Sequence, residues 1–258
     1  MKLTFSIIVS LFISCNFTAA QSIDSTQTPS FFRGQITVTN NGVSLIPSFS
    51  LGKPAVLFDM NIGKGRLSFD PMIRFGMNGK PWAFIFWWRY KLIQNKKFNL
   101  GVGAHPSVVF RDISVVNNGA TKDFLSAQRY FAWEASSTYI INKNLNFGFY
   151  YLGSRGLTKD IIQHTTFLAI RSGINLDLSD KFALGLIPQA YYLKMDNKEG
   201  TYVNATLNLF RKNFPLSLNG VVSKAIKTAI AGKDFLWSVG LVYNINNTYL
   251  KKQFRSLK

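Results

Sequence analysis

The sequence predicts an all-β protein, an antiparallel transmembrane β-barrel of about twelve strands that follows a cleaved signal peptide. Three observations predict this fold. Apolar and polar residues alternate over runs of ten or more residues, short and long connections alternate between these runs, and the first 20 residues have the pattern of an export signal. A tilted strand needs about 9–11 residues to cross a bilayer, and its side chains point alternately to two faces.

The first segment, residues 1–20, is predicted to be the signal peptide. Lys2 gives a charged start, residues 3–13 form an apolar core, and residues 18–20 form a small-residue cleavage site. Lipoprotein processing at Cys15 is the alternative, although Phe12 departs from the leucine that is usual there. Because Cys15 is the only cysteine, we expect neither a disulfide nor a cysteine metal site in the mature chain.

The rest of the chain is divided into three parts. Residues 21–42 are predicted to be an N-terminal periplasmic or lumen-entering segment, residues 43–246 the barrel, and residues 247–258 a basic C-terminal tail. Beginning the barrel at Val43 gives an even number of strands and places both termini in the periplasm. The predicted strands are 43–51, 54–62, 66–77, 81–92, 97–110, 127–141, 145–154, 165–178, 181–194, 200–210, 215–224 and 234–246.

Residues 66–110 show the alternation most clearly. Between residues 82 and 92 every second side chain is apolar and most are aromatic, whereas Arg89 and Lys91 lie on the other face. Such a pattern predicts a lipid-facing outside and a polar lumen. A soluble lipocalin-like barrel or a periplasmic binding barrel is the alternative, since alternation alone does not say which face is outside. Strand length, loop asymmetry and aromatic strand ends favour the membrane barrel.

Charge and composition restrict the partners. The chain has a formal net charge of +18, 47% hydrophobic residues and 15% aromatic residues, but no run of about 18 apolar residues after the leader. The basic residues are scattered over turns and strand ends without a nucleic-acid motif, so nucleic acid is not an expected partner. Outer-membrane lipids, lipopolysaccharide, small anionic solutes and an accessory protein are the expected partners. The tail is interpreted as solvated, or as a docking segment for an acidic partner.

Two sets of side chains are candidate functional residues of the barrel wall. Charged residues on the polar face could set the field of an open pore, or could form a crosslinked plug of ion pairs, and strand number does not decide between them. The lumen charge cluster comprises Asp70, Arg74, Arg89, Lys91, Glu134, Arg171 and Asp177. Aromatic residues near strand ends are expected to meet lipid headgroups. This aromatic girdle comprises Trp82, Tyr90, Phe131, Tyr139, Tyr151, Tyr192, Phe235 and Tyr243.

His105 and Ser107 form the only pattern that resembles a catalytic pair. They share one face of a predicted strand, so a base could reach a hydroxyl. The pair resembles the His-x-Ser of outer-membrane phospholipases and lipid A deacylases. It departs from them because both residues fall on the lumen face and no orienting acid follows at a similar spacing. A histidine hydrogen-bonded within the lumen is the plainer interpretation, and we expect no metal or cofactor.

Several short motifs resemble uncharacterised outer-membrane β-barrel proteins of the Bacteroidetes type. They are Gly65–Met72, Gly79–Trp82, Phe86–Lys91 and Gly103–Pro106. The resemblance covers most of the chain after the leader and implies a location and a fold rather than an activity. The preferred hypothesis is therefore a non-enzymatic outer-membrane barrel that acts as a small channel or porin, or as an accessory component of a surface complex. A lipid hydrolase that uses His105 and Ser107 is the alternative.

Overall fold

The barrel is closed and consists of twelve antiparallel strands, which confirms the predicted fold. This computed structural model describes residues 30–117 and 120–249, so the predicted signal peptide and most of the predicted tail lie outside the described residues. The first strand pairs with both the second and the last, which closes the ring. The strands are β1 Ser30–Thr39, β2 Ala55–Lys64, β3 Leu67–Gly76, β4 Pro81–Gln94, β5 Phe98–Asn117, β6 Ala120–Asn142, β7 Leu145–Gly156, β8 His164–Asp177, β9 Phe182–Met195, β10 Lys198–Arg211, β11 Leu216–Thr228 and β12 Phe235–Tyr249.

The first strand begins earlier than the sequence predicted. The prediction of a strand over 43–51 is wrong, because those residues lie in a connection. The placement of residues 30–39 outside the barrel wall is also wrong, because they form β1. Residues 40–54 instead connect β1 to β2 and contain a short 3-10 helix, Pro47–Phe49. Ten pairs on each side of β1 satisfy backbone groups that an open sheet edge would expose. Residues 30–39 therefore form a strand of the closed barrel, although their apolar alternation is weak.

The long connection predicted between the fifth and sixth strands is part of a β-hairpin. β5 and β6 remain paired from Phe98–Tyr139 to Asn117–Ala120, beyond the end of their pairing with β4 and β7. The hairpin therefore projects from one end of the barrel.

The two ends of the barrel differ in their connections. At the end that holds the described chain ends, which we call the turn end, adjacent strands are joined by two to four residues, for example 65–66 and 143–144. At the opposite end, which we call the loop end, the connections include residues 40–54, 157–163 and 229–234, together with the projecting hairpin. This asymmetry is typical of outer-membrane barrels.

Apolar side chains face outward along the strands. Trp88 is 53% exposed and Phe149 is 58% exposed, whereas the inward-facing Glu134 is buried. A soluble barrel would reverse this distribution, so the predicted assignment of the two faces holds for these residues. In the part of the chain that the structure describes, no helix is long and apolar enough to cross a membrane.

Gly148 lies where two backbones approach closely, and we expect Gly148→Ala to destabilise the barrel. A Cβ at this position would lie 2.3 Å from the carbonyl oxygen of Ser137 on the paired strand. We expect the free energy of unfolding to fall by about 1–3 kcal/mol because backbone must move. Gly185→Ala is the control, since its nearest neighbour would be 3.7 Å away. Equal urea midpoints for the two variants in detergent would contradict this account.

Candidate functional site in the lumen

The β1–β2 loop, residues 40–54, folds into the lumen at the loop end. A neck closes it, because the amide of Gly42 donates to the carbonyl of Lys53 at 2.8 Å and the amide of Leu51 donates to Gly42 at 2.8 Å. The tip is bound to the inner wall. The Nε1 of Trp82 donates to the carbonyl of Phe49 at 2.9 Å, and the Arg111 guanidinium donates to the carbonyl of Ser48.

Trp82 therefore does not belong to the lipid-facing girdle, and its prediction there is wrong. Its side chain is only 2% exposed and its indole N–H is bonded to Phe49 within the lumen. The cause is a bulge: Ala83 pairs with Arg74, but Pro81 pairs with the next residue of β3, so Trp82 is an extra residue. An extra residue reverses the alternation on one side of it.

Buried side chains fill the lumen below the loop. Phe167, Tyr191 and Tyr202 stack in a row, with ring centroids 4.7 Å and 4.9 Å apart. Trp87 of β4 and Ile46 of the β1–β2 loop belong to the same buried cluster. Because β4 lies opposite β10 in a ring of twelve strands, a cluster that joins Trp87 to Tyr202 crosses the lumen. Side chains of the wall and the loop thus meet across the lumen at this level in the described structure.

An ion-pair network lies between this cluster and the turn end. The Nη1 of Arg89 is 2.7 Å from Oδ2 of Asp70, and its Nε is 2.6 Å from Oε1 of Glu134. Asn61 donates to Asp70, and the hydroxyl of Tyr150 donates to Glu134 at 2.7 Å. Both carboxylates are thus buried with a cation and a neutral donor, which is what buried charges require.

Gly103 makes the Arg89–Glu134 contact possible. Arg89 is on β4 and Glu134 is on β6, so their side chains meet across β5. In the β-sheet register, Gly103 of β5 pairs with both residues. A Cβ there would lie 3.0 Å from Cγ of Arg89 and 3.0 Å from Oε1 of Glu134. The missing side chain leaves the space in which the two charges meet.

The structure divides the other predicted lumen charges among separate places. Arg74 is 3.5 Å from Asp59 and forms its own ion pair. Arg171 lies over the ring of Tyr150, with Cζ 5.2 Å from the centroid. Asp177 is not part of the lumen cluster, because it is an exposed residue at the turn end, 2.7 Å from Lys212.

Sequence reasoning missed Asp59, Asn61 and Tyr150. Their inward orientation could have been found from the phase of the strands, since Asp59 and Asn61 alternate with outward residues of β2.

Two of the cavities in the described structure lie within the barrel. The polar cavity, of about 500 Å³, lies next to the turn end and contacts Arg89, Lys91, Arg171, Asp70 and Glu134. The second, of about 380 Å³, lies above the loop tip at the loop end and is lined by residues such as Phe49, Arg111 and Lys198. The aromatic cluster lies between them. Among the described residues, no group of three or more His, Cys, Asp or Glu side chains could hold a metal ion.

Solved structures with the same architecture include a porin and an outer-membrane channel. The fold is that of an outer-membrane β-barrel. A KdgM porin in complex with disordered oligogalacturonate is similar, with a TM-score of 0.51, 8% identity, and coverage of 83% of this chain and 98% of that chain. An outer-membrane channel from Pseudomonas putida F1 is similar with a TM-score of 0.50, 9% identity, and coverage of 86% and 96%. No family model matches the sequence, and no curated protein matches it.

His105 and Ser107 face the lumen of this outer-membrane barrel, as their phase predicted. Both are buried, at 7% and 6% exposure, and the imidazole packs edge-on against Trp87 with centroids 4.1 Å apart. The Nδ1 of His105 has no hydrogen-bond partner among the described residues. A histidine that activates a serine needs an oriented ring and a hydrogen bond to the hydroxyl. These contacts give the hydrolase hypothesis no support.

The remaining members of the predicted girdle lie on strands of the outer-membrane barrel. Tyr90, Phe131, Tyr139, Phe235 and Tyr243 are each between 43% and 53% exposed on the outer surface. The other two are partly exposed, and the hydroxyl of Tyr192 donates to Glu199 at 2.6 Å. Their contact with lipid headgroups remains a prediction.

Proposed function

We propose that this protein is a non-enzymatic outer-membrane channel whose lumen is closed from the loop end by the β1–β2 loop. The observation that carries the proposal is the attachment of the loop tip to the inner wall through Trp82 and Arg111. A loop held by a few hydrogen bonds above a polar cavity is suited to opening without a change in the barrel wall.

Excision of the loop is expected to open the channel. The neck bonds hold Gly42 beside Leu51 and Lys53, so residues 43–51 can be replaced by Gly-Ser-Gly without stretching the chain. In planar bilayers the wild-type protein should remain mostly closed, and the excised variant should show frequent ion conductance. This is expected because the variant lacks Ile46 and Phe49, which fill the lumen at the loop end.

The control for this experiment keeps the loop and removes a contact that lies outside the lumen. Lys80→Ala breaks an exposed ion pair with Asp112 at the loop end, 3.1 Å long, and should leave conductance unchanged. Absence of current in the excised variant, with the barrel still folded, would contradict the channel proposal.

The second candidate is a non-conducting component of a surface complex. The projecting β5–β6 hairpin favours it, since Ile113, Phe124 and Leu125 are 42%, 52% and 44% exposed beyond the neighbouring strands. Exposed apolar residues on a projecting element are typical of protein–protein contact sites. A folded, excised variant that carries no current would favour this candidate over the channel.

We also propose that the turn end faces the periplasm, which would place both chain termini there. Its support is the short connections at this end. A single cysteine at Lys97 should escape an impermeant maleimide on intact cells, whereas one at Lys233 should be labelled. The reverse labelling would contradict the proposed orientation.

A further inference from the structure

A donor-rich site lies on the inner wall beside the polar cavity. Arg171 of β8 lines this cavity and lies over the ring of Tyr150. Among the described residues, no carboxylate lies within ion-pairing distance of its guanidinium and no acceptor bonds to it. A guanidinium carries five N–H donors in a planar fork, so this arrangement leaves most of them without a protein acceptor.

Gln189, next to Arg171 on the neighbouring strand, provides a second hydrogen-bond donor without an acceptor. It pairs directly with Arg171 in the register of β8 and β9, so the two side chains share the lumen face. Directly paired residues have Cβ atoms about 4.5–5.5 Å apart. The Nε2 of Gln189 is buried and has no hydrogen-bond partner among the described residues. Buried amide donors are normally satisfied, so this one is available to an acceptor that binds beside the guanidinium.

Nearby carboxylates are already engaged. Glu134 accepts from Arg89 and from the hydroxyl of Tyr150, and Asp70 accepts from Arg89 and Asn61. Tyr150 thus donates its hydroxyl to Glu134 while presenting its ring to Arg171. This keeps the Arg171 guanidinium beside the network without neutralising it.

The charge and size of the cavity suit an organic anion. Three cations and two carboxylates line it, and Lys91 contributes a second cation that has no ion pair among the described residues. Its volume of about 500 Å³ lies within the range of small-molecule sites, about 300–1,000 Å³.

We infer that Arg171 and Gln189 form a binding site for an oxyanion, the carboxylate or phosphate of a small polar solute. The planar fork of Arg171 donates to two oxygens of such a group, and the amide of Gln189 donates to it from the neighbouring strand. Binding at this site does not depend on the proposed channel. Its role does rest on that proposed function, since in an open channel the site would select anions on their way through the lumen.

Binding to the full barrel in detergent micelles tests the site directly. Isothermal titration calorimetry with glucuronate, glucose 6-phosphate and glucose compares a carboxylate, a phosphate and a neutral sugar of similar size. We expect either anion or both to bind and glucose not to bind, because only the anions supply a charged acceptor for the guanidinium of Arg171. Binding of glucuronate alone would assign a carboxylate site, and binding of glucose 6-phosphate alone a phosphate site. Equal binding of glucose would overturn the inference.

Two variants remove the site in different ways. Arg171→Gln removes the charge, and Gln189→Glu places a carboxylate beside Arg171 that would occupy its donors. Each should weaken anion binding at least about tenfold, since charge-assisted hydrogen bonds are lost. Arg211→Gln is the control, because Arg211 is exposed near Phe214 at the same end and lies outside the cavity. Retained anion affinity in both site variants would overturn the assignment.

The channel and the site can fail separately. If the loop-excised variant carries no current while glucuronate still binds through Arg171, the channel proposal fails and the site stands. If the excised variant conducts but no anion binds, the site is wrong and the channel stands.

Discussion

Replacement of Arg89 by methionine is expected to lower the free energy of unfolding by about 3 kcal/mol, because it leaves two buried carboxylates without their cation. Asp70 and Glu134 have side chains that are only 9% and 5% exposed, whereas Arg89 is 32% exposed. Without Arg89, each carboxylate keeps only a neutral donor, Asn61 for Asp70 and Tyr150 for Glu134. The measurement is the urea midpoint of the barrel in detergent, followed by the loss of its folded form in electrophoresis.

Two further variants separate lost charge compensation from lost packing. Asp70→Asn and Glu134→Gln in the Arg89→Met background remove both orphaned charges, so most of the stability should return. Lys212→Met breaks the exposed pair with Asp177 and should have no measurable effect. If Arg89→Met alone unfolds at the wild-type urea concentration, the network does not stabilise the barrel.

The strands were predictable from the sequence because one physical rule governs most of them. A strand between lipid and a polar lumen must alternate, and eleven of the twelve predicted ranges overlap an observed strand. The exception, 43–51, is apolar for another reason. Its residues Ile46 and Phe49 pack inside the lumen, where burial favours the same side chains as lipid does. Composition alone does not distinguish these two apolar surroundings.

The candidate site was predictable only in part. The inward phase of Arg89 and Glu134 follows from alternation, but their contact depends on Gly103 in the intervening strand, which is a feature of register. The reversal of Trp82 depends on a bulge that leaves no mark on the pattern of residues. Whether the lumen holds a pore or a plug was open in the sequence, because the answer lies in contacts between strands on opposite sides of the ring.

Phe167→Ala is expected to have the second large effect, with two measurable consequences. Phe167 is fully buried in the lumen, between Tyr150 and Tyr191, with ring centroids 5.9 Å and 4.7 Å away. Loss of the ring should lower the free energy of unfolding by about 3 kcal/mol, since a buried phenylalanine leaves a cavity when it is truncated.

The second consequence concerns conductance in the loop-excised background. The β1–β2 loop and the aromatic cluster lie in series along the lumen, so removal of the loop leaves the cluster as the narrowest section. Phe167→Ala should then raise the single-channel conductance above that of the excised chain alone. Phe149→Ala is the control, because its ring faces outward and is 58% exposed. Equal conductance in both double variants would mean that ions bypass the cluster, which would then not be the narrowest section of the excised lumen.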